Sequence, residues 1–474
     1  MSSGTVVVLF RQDLRVHDNP ALAAAARAGG AVVPLFVVDK RICSLPGSAN
    51  RAAFLAEALA DLRHSLQSLG GQLYLRYGDP VEETMRLVYS TGAQVVHLAE
   101  GVTPRARRVQ ERIDRACRGE RVELALFPGT SVLPPGAVVP SGADHYRVFT
   151  PYWRRWRTFP RRAVEGPPRS VRTPAGISVG RVPSVNDLST KPLSPQRALG
   201  GETAGRRAAD RWLEEGLPSY ADGHNDLAGD RTSRLSPYLH FGCLSANELV
   251  ARAMDERGGE SFVRQLCWRD FHHQVLAAFP ALAERDYRPR PERTWNDDAP
   301  ALQAWKEGRT GVPVVDAGMR QLLAEGWMHN RARLIVASYL VRERGVHWRE
   351  GAVHFMDWLL DADVANNYGN WQWVAGTGND TRPNRRFSLT RQAQRFDPRG
   401  EYVHRYLSDQ VRARKLRSEP GPPTAPSATS QQSPVGRTSQ TRRAGSVSRR
   451  VQASSPELPT RGGQARPPSR RVKP

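Results

Sequence analysis

Short runs of β-branched and apolar residues alternate with helical patterns through the first 130 residues, and this alternation constrains the fold more than any other feature of the chain. The clearest helical pattern covers residues 51–69, where apolar side chains recur at three- and four-residue spacing. Strands that alternate with helices predict an α/β domain with a doubly wound parallel sheet. The predicted strands are Thr5–Phe10, Ala31–Val38, Gln72–Tyr77, Gln94–Leu98 and Glu123–Phe127.

The pattern changes after this domain. Residues 165–200 are rich in Pro, Ser, Arg and Gly and show no periodicity, which is typical of a connecting segment. Helical patterns with many Trp and Arg follow, and the chain closes on low-complexity sequence with too few apolar residues to fold alone. We therefore expect an α/β domain over 1–130, a connector over 131–202, an all-α domain over 203–408 and a disordered basic tail over 409–474.

The chain is strongly basic. Its 69 Lys and Arg against 47 Asp and Glu give a net charge of +22. Residues 411–474 hold 14 Lys and Arg against Glu419 and Glu457, which is +12 and leaves +10 for residues 1–410. Because the body is basic without its tail, the composition favours a polyanionic partner.

Membrane and secretion signals are missing from the sequence. There is no run of 18 apolar residues, and Met1 leads directly into the first strand without the pattern of a signal peptide. Cys43, Cys117, Cys243 and Cys267 form no C-x-x-C pair, so we expect neither a zinc site nor a disulfide framework. A cytoplasmic protein without membrane contact is the expectation.

Residues 361–378, DADVANNYGNWQWVAGTG, concentrate acids, amides, small residues and indoles. Buried polar groups without partners are costly, so an ordinary core segment would be more apolar than this. The composition suits a pocket for a large planar ligand that has ring nitrogens and hydroxyls, while a solvated loop between two helices is the alternative. The residues that carry this argument are Asp361, Asp363, Asn366, Asn367, Trp371 and Trp373.

A second motif is GDRTSRLSPYLHFGCLS, residues 229–245. Thr232, Ser233 and Ser236 supply hydroxyls and Arg234 a positive charge just before helical sequence. Hydroxyls beside the N–H groups of a helix N-terminus can cradle phosphates. The alternative is a simple helix cap at Ser236.

Two further motifs place polar side chains on predicted helices. Trp268 and Arg269 follow Gln265 within about one turn, so the three can face one cavity, or Trp268 can be a core residue beside a salt bridge. Asn330 and Arg331 open an apolar helix, where they could read a base edge or cap the helix.

Eleven Trp is a high number for a chain of 474 residues. Most buried indoles are core residues. Indoles spaced between a redox cofactor and the surface could instead pass an electron, and the candidates are Trp295, Trp348, Trp371 and Trp373.

Together these segments closely resemble the photolyase/cryptochrome flavoproteins, over roughly 400 residues and in the family's order. The resemblance rests on motifs rather than on any single residue. They are FRQDLRVHDNPAL (10–22), HYRVFTPYWRRW (145–156), TSRLSPYLHFG (232–242), VDAGMRQL (315–322), WMHNR (327–331), NNYGNWQWVAGTG (366–378) and RQAQRFD (391–397).

The resemblance implies an N-terminal α/β antenna domain and an all-helical domain that binds FAD in a folded shape. It places Asn367 beside flavin N5. There the amide oxygen can accept a hydrogen bond from the N5–H of reduced flavin without adding a charge. It implies an electron relay from the flavin to the surface through Trp371, Trp348 and Trp295. The implied FAD contacts are Tyr220, Thr232, Ser233, Arg234, Leu235, Ser236, Arg269, Asp361, Ala362, Asp363 and Asn367.

The substrate implied by the resemblance is a pyrimidine dimer in UV-damaged DNA, flipped out of the helix. Light-excited reduced FAD would give it one electron, and the enzyme would be a carbon–carbon lyase, a deoxyribodipyrimidine photo-lyase acting as a monomer. The dimer would stack on Trp268 and Trp373, near Asn330, Arg331 and Gln265. Basic residues would grip DNA phosphates at the cavity rim, and the candidates are Arg154, Arg333 and Arg395.

Several positions depart from the repair pattern. Gln265 stands where cyclobutane-dimer repair enzymes usually have Glu, and an amide cannot donate a carboxyl proton. Leu334 stands where Met is usual, and the basic tail replaces an ordered ending. Asn330 favours cyclobutane repair over (6-4) repair, whereas Gln265, Leu334 and the tail favour a cryptochrome-type blue-light receptor, the alternative function.

The family also binds an antenna chromophore between its two domains. An 8-hydroxy-5-deazaflavin is favoured here over a methenyltetrahydrofolate. The residues at plausible positions are Val37, Val38, Asp39, Arg51 and Glu100.

Overall fold

The computed structural model describes residues 4–39, 49–290, 292–379 and 388–408. These residues belong to one compact unit, Met1–Ser418. The predicted tail over 409–474 lies outside the described residues, so its disorder stays a prediction.

Five parallel strands form a single sheet in the order β3-β2-β1-β4-β5. From the central β1 the chain adds β2 and β3 on one side and then β4 and β5 on the other side. This is the doubly wound arrangement that was predicted. The strands are β1 (Val6–Phe10), β2 (Val32–Val38), β3 (Tyr74–Tyr77), β4 (Val95–Ala99) and β5 (Glu123–Phe127).

Helices cover the sheet because both of its faces are apolar. Every residue of β1 and β2 is buried, as expected for central strands of a parallel sheet. Three of the four helices begin with a capping residue followed by proline, at Asn19–Pro20, Asp79–Pro80 and Thr103–Pro104, and each cap side chain accepts a backbone N–H. The helices are α1 (Pro20–Arg27), α2 (Ala49–Ser68), α3 (Pro80–Thr91) and α4 (Pro104–Gly119).

The segment after β5, where the connector was predicted, has little regular structure. It contains α5 (Phe149–Trp156) and the short α6 (Val185–Leu188). Backbone bonds tie it to the sheet domain, from Val32 N–H to the Arg172 carbonyl and from Leu75 N–H to the Val179 carbonyl, each 2.8 Å long.

The remaining described residues are helical, as predicted. Two π-helical segments, Trp212–Gly216 and Tyr339–Glu343, extend α7 and α14, and residues 401–408 add a last helical stretch. The helices are α7 (Glu202–Arg211), α8 (Tyr220–Gly223), α9 (Ser236–Phe241), α10 (Ala246–Ala253), α11 (Gly259–Ala278), α12 (Ala299–Lys306), α13 (Pro313–Glu325), α14 (Asn330–Ser338), α15 (Trp348–Trp358), α16 (Val364–Ala375) and α17 (Leu389–Phe396).

Glycine sets the close approach of the helices around the centre of this region. A side chain at Gly369 on α16 would collide with the imidazole of His272 on α11. A side chain at Gly351 on α15 would penetrate the indole of Trp371 on α16. These two contacts let α11 and α15 pack directly against α16.

Residues 401–408 are fastened to α13 by tyrosine hydroxyls. The hydroxyl of Tyr402 donates to Gln321 Oε1 at 2.8 Å, and that of Tyr406 donates to the carboxylate of Glu325. The same carboxylate accepts Arg234 Nη1 at 2.7 Å. Among the described residues, no helix has the length and apolar character needed to cross a membrane.

Candidate flavin and nucleic-acid site

A cavity of about 400 Å³ opens among the helices of the C-terminal region. Its wall mixes aromatic rings with hydroxyl, amide, carboxylate and imidazole groups. Ten predicted site residues line it: Tyr220, Ser233, Ser236, Gln265, Trp268, Arg269, Asn330, Asp361, Asp363 and Trp373. The sequence motifs at 229–245, 265–271, 326–340 and 361–378 therefore meet at one cavity.

The motif at 229–245 contributes hydroxyls to this wall. Ser236 is the first residue of α9 rather than its cap, since Leu235 holds the cap position without a side-chain bond. Ser233 and Ser236 line the cavity, and the buried Thr232 Oγ1 has no hydrogen-bond partner among the described residues. These features favour the predicted cradle over the simple cap at Ser236.

The side chain of Arg234 contacts other protein side chains and does not line the cavity. Its guanidinium bonds Asp230 at 2.9 Å and Glu325 at 2.7 Å, and it lies 4.3 Å from the centroid of the Trp327 ring. Burial alone would lower the pKa of Arg234, but Asp230 and Glu325 raise it. Leu235 is a buried core residue, so contacts from these two positions to a phosphate would come from the backbone.

The two acids of the 361–378 segment have different partners. Asp361 accepts Arg333 Nη2 at 2.8 Å through one oxygen, and its other oxygen is buried without a partner in the described part of the chain. Arg333 also donates to the Met328 carbonyl at 2.8 Å. Arg333 therefore lies in the cavity wall, and its contact with DNA at the rim stays a prediction.

Asp363 caps α16 and also binds an imidazole. Its Oδ1 accepts the Asn366 N–H at 2.8 Å, and its Oδ2 accepts His273 Nε2 at 3.2 Å. Burial alone would raise the pKa of Asp363, but His273 and Arg269 hold it well below its usual range. Asp363 is therefore a carboxylate at neutral pH. Ala362, between the two acids, is buried and faces a different cavity at the sheet.

Asn367 and Trp371 lie behind the main cavity, at a smaller one of about 70 Å³. The two cavities share Asn330, Arg333 and Asp361 in their walls, so they adjoin. The Asn367 amide donates from Nδ2 to the Ala352 carbonyl at 2.9 Å. That bond orients the side chain and leaves its oxygen as the acceptor.

The three predicted relay indoles differ in burial. Trp371 and Trp348 are buried, and Trp295 is half-buried. The ring of His347 lies 5.7 Å from that of Trp348 and 4.7 Å from that of Trp295. Trp348 donates its indole N–H to Asp286 at 2.9 Å.

The mouth of the cavity carries the residues predicted to meet the lesion. Trp268 stacks on Phe149 with ring centroids 3.7 Å apart and an angle of 4° between the planes. Gln265 and Asn330 are exposed, whereas Trp268 and Trp373 are half-buried. The exposed amide of Gln265 and the indole of Trp268, which is stacked on Phe149, suit a planar base that enters from solvent.

Arg331 and Arg395 do not line the cavity. Arg331 bonds Asn225 Oδ1 at 2.6 and 3.2 Å and lies 4.3 Å from the centroid of the Phe396 ring. Arg395 lies 5.2 Å from the same centroid and is exposed, as is Arg154 on α5. Contacts from Arg331 and Arg395 would therefore reach DNA outside the cavity.

Sequence reasoning missed two imidazoles in the cavity wall. His240 and His272 line it, each has Nδ1 buried without a partner among the described residues, and burial lowers the pKa of each to about 4. Both are therefore neutral at pH 7. His240 lies in the YLHFG motif and His272 follows WRDF, so a histidine inside each motif was the available signal.

The orphaned polar atoms test the fit to FAD. Thr232 Oγ1, Asp361 Oδ1 and the Nδ1 atoms of His240 and His272 need partners that the described protein does not supply. Buried polar atoms without partners are uncommon in native proteins. A ligand rich in hydroxyls and ring nitrogens would satisfy them, which fits the flavin predicted from the sequence.

Two family models match this chain. The model for DNA photolyase matches residues 6–170, and the model for the FAD binding domain of DNA photolyase matches residues 262–437. The chain belongs to the DNA photolyase family. The resemblance seen in the sequence is confirmed, and the matched FAD-binding domain supports the FAD prediction.

Relatives cover nearly the whole matched region. A deoxyribodipyrimidine photo-lyase of Streptomyces griseus is 52% identical over 408 residues, which are 85% of this chain and 89% of the relative. This relative supports the predicted enzyme class. A cryptochrome DASH of Natronomonas pharaonis is 36% identical over 430 residues, 85% of this chain and 90% of the relative.

The fold is also shared with solved structures. A bacterial class III photolyase from Agrobacterium tumefaciens superposes with a TM-score of 0.80 at 33% identity, over 86% of this chain and 87% of that one. The predicted fold class, a parallel-sheet domain followed by a helical region, is confirmed.

Proposed function

We propose that this chain repairs cyclobutane pyrimidine dimers in DNA by light-driven electron transfer from reduced FAD. One observation carries the proposal. A single cavity joins a wall of hydroxyls and carboxylates that suits FAD to a mouth of indoles and amides that suits an extruded pair of bases. Flavin and lesion would then be close enough to exchange an electron.

The residues of the inner wall would hold the cofactor. Ser233, Ser236 and Thr232 would bind the phosphates, and Asp361 and Asp363 the ring and ribose side. Arg269 donates to the Thr130 and Leu239 carbonyls at 2.6 and 3.2 Å, which fixes its charge at the cavity edge. Held by these residues, reduced FAD would supply light-driven transfer of one electron to the dimer, and the electron would return after the cyclobutane ring opens.

The residues of the mouth would hold the lesion. Phe149 supports one face of Trp268, so this indole offers its other face as a rigid platform, and Trp373 supplies a second ring. Gln265 would donate an N–H to a base carbonyl, and Asn330 would contact the base edge. The chain's own contribution is to orient the dimer and to exclude water from it.

The positions of the three indoles support a path by which electrons from the surface could reduce the flavin. Trp371 lies at the cavity that adjoins the flavin site, and the half-buried Trp295 is linked to Trp348 by the ring of His347, which contacts both. We include this order, Trp371, Trp348 and then Trp295, in the proposal.

DNA would be held by charge around the mouth. Residues 1–410 carry +10, and Arg154 and Arg395 are exposed. Contacts to phosphates position DNA without reading its sequence. We propose a cytoplasmic monomer for this work, because the substrate is DNA and one chain supplies the whole cavity.

A second cavity of about 310 Å³ supports an antenna chromophore at the sheet. Four of the five predicted residues line it, namely Val37, Asp39, Arg51 and Glu100, whereas Val38 does not. Its wall is largely apolar, which suits a flat ring. The carboxylates of Asp39 and Glu100 suit ligand hydroxyls better than the acidic tail of a folate, so we propose 8-hydroxy-5-deazaflavin. Extraction and absorption spectra of the bound chromophore test this choice.

A blue-light receptor with weak repair is the second candidate. It is favoured by Gln265, which supplies an amide where an acid could donate a proton to the dimer. The Natronomonas relative named cryptochrome DASH shows that similar sequences carry receptor names.

The deciding experiment uses purified protein with fully bound, reduced FAD and UV-irradiated oligo(dT). Under blue light we expect the thymine absorbance to recover, and we expect no recovery in the dark. A Trp268→Ala variant that still binds FAD should repair poorly. No recovery in the intact protein, with FAD bound and reduced, would overturn the repair proposal and favour the receptor.

A further inference from the structure

A line of hydrogen bonds crosses the protein from a surface cavity to the flavin cavity. The hydroxyl of Ser131 lies 2.7 Å from His273 Nδ1, and His273 Nε2 lies 3.2 Å from Asp363 Oδ2. His273 is fully buried on α11, between the two ends of the line. The proposed flavin and lesion contacts do not require an imidazole at this position.

The residues at the two ends of the line, Ser131 and Asp363, line two different cavities. Ser131 is half-buried and lines a cavity of about 290 Å³, whose wall also includes the exposed Glu111. Asp363 lines the flavin cavity. Among the described residues, the surface cavity and the flavin cavity share no lining residue, so they are separate spaces.

The partners fix the direction of the hydrogen bonds. Asp363 is a carboxylate whose Oδ1 already accepts the Asn366 N–H, so its Oδ2 accepts from His273 Nε2–H. In the tautomer that carries its one proton on Nε2, His273 has Nδ1 as an acceptor, and the Ser131 hydroxyl donates to it. In this tautomer every donor in the line points from the surface towards the flavin cavity.

We propose that Ser131, His273 and Asp363 form a proton relay from solvent into the flavin cavity. A proton from water enters at the Ser131 hydroxyl, the hydroxyl proton passes to Nδ1, and the Nε2 proton passes to Asp363, which releases it into the cavity. The relay depends on FAD binding and does not depend on which lesion is repaired.

The redox balance calls for such a route. Reduction of oxidised FAD to its anionic reduced form takes up two electrons and one proton. With a thiol as reductant the electrons can arrive through the indoles, which carry no proton to the cavity. When DNA covers the mouth, the proton needs a path through the protein, and this line supplies one.

The surroundings of His273 are consistent with a proton carrier. Arg269, Asp270 and His272 on α11 and Asp363 before α16 are the charged or titratable groups that act on this region. Asp270 accepts backbone N–H groups of Val132 and Leu133 at 3.2 and 2.9 Å, which holds the Ser131 loop against the helix. A carboxyl with a low pKa, such as Asp363, releases a proton readily.

Ser131→Ala is the sharpest test, because it removes the entry hydroxyl without touching the flavin cavity. Proton uptake by the flavin would be followed from the flavin's own absorbance during photoreduction by a thiol, in H₂O and D₂O, because oxidation of the thiol releases protons to the bulk solution. We expect uptake to slow about tenfold in Ser131→Ala and about 100-fold in His273→Gln, the low end of what a positioned proton donor contributes. Ser131→Thr should restore the rate.

Thr130→Val is the matched control. It removes a hydroxyl from the neighbouring residue of the same cavity wall, outside the line of hydrogen bonds. We expect its uptake rate to match the parent. Equal rates in Ser131→Ala and Thr130→Val, with FAD bound equally in both, would overturn the relay.

A second measurement needs no flavin. ¹⁵N spectra of histidine-labelled protein without FAD should show His273 as the Nε2–H tautomer, with its proton exchanging faster than that of His272. Ser131→Ala should slow this exchange. An Nδ1–H tautomer, or exchange that Ser131→Ala leaves unchanged, would contradict the proposal even if the chain repairs DNA as proposed.

Discussion

Gln265 is the residue at which the lesion-facing end of the cavity departs most from a repair enzyme. Its amide is exposed at the mouth, on the same helix as Trp268. An amide donates a weaker hydrogen bond than a carboxyl and cannot give up a proton. In the proposed repair, this residue would set how well the dimer's extra electron is stabilised.

Gln265→Glu should raise the quantum yield of dimer repair by about two- to tenfold, the range that corresponds to one hydrogen bond of about 0.5–1.4 kcal/mol. The yield would be measured with fully reduced FAD and irradiated oligo(dT). Gln67→Glu, the same exchange at an exposed position of α2, is the control. An unchanged or lower yield would refute this account of Gln265.

His272 gives the cavity a dependence on pH. Burial lowers its pKa from about 6.5 to about 4, so the unfolded chain binds more protons than the folded one between these values. The free energy of unfolding is therefore not reduced by His272 above about pH 6.5, and it falls as the pH decreases from 6.5 towards 4.

His272→Gln should flatten the loss of stability between pH 6.5 and 4 by up to about 1.4 kcal/mol per pH unit. Urea unfolding of the flavin-free protein at several pH values measures this slope. His64→Gln, at an exposed position, should leave the slope as it is. Parallel curves for the parent and His272→Gln would show that the buried imidazole does not carry the effect.

At the scale of elements, the crossing of α15 over α16 determines where Trp371 lies. Gly351 leaves room for the Trp371 indole, which also packs edge-on against Phe355 with centroids 5.1 Å apart. Any side chain at position 351 must push the indole or the helix away. This crossing thus couples the packing of two helices to the first step of the proposed electron relay.

Gly351→Ala should destabilise the protein by about 1–3 kcal/mol, as overpacking does in other cores, and should slow photoreduction of the flavin. Gly119→Ala is the control, because a Cβ there meets open space at the end of α4. We expect the control to change stability by less than about 0.5 kcal/mol. Normal stability and photoreduction in Gly351→Ala would contradict the crossing as described.

The sequence predicted elements well where one local pattern decides them. All five strands were predicted with ends within two residues, because short apolar runs between turns mark buried parallel strands. The helix expected over 51–69 spans Ala49–Ser68. By contrast, the pairing of Arg333 with Asp361 joins residues far apart in the chain, and no local pattern signals it.

The same limit applies to the candidate site. Motifs identified the residues of the cavity wall, such as Trp268 and Asp363, since each motif carries its own polar groups. They did not reveal that His273 links Asp363 to Ser131, because this contact depends on how the connector packs on α11. Side-chain partners between segments had to come from the structure.

For the whole molecule, charge is the property that extends beyond the cavity. The body carries +10 and residues 411–474 carry +12. Basic residues bind DNA by releasing counterions, so their contribution falls as salt rises. The predicted tail would then add affinity for any DNA rather than selectivity for damage.

A chain that ends at residue 408 should bind undamaged DNA more weakly and with a shallower salt dependence. The slope of log K against log salt should fall by about 0.9 for each phosphate that the tail would otherwise neutralise. The truncation keeps residues 401–408 and their bonds to Gln321 and Glu325, so repair of oligo(dT) should persist. An unchanged slope would exclude the tail as a DNA-binding arm.

Helix α11 carries all four residues of these proposals: Gln265 and Trp268 at the proposed lesion contact, His272 in the cavity wall and His273 in the proposed proton relay. One residue inserted ahead of Gln265 would rotate all four by about 100°. Lesion contact, cofactor fit and proton supply would then fail together. A substitution on this helix can therefore change one of these contacts alone, whereas an insertion or deletion before Gln265 changes all of them together.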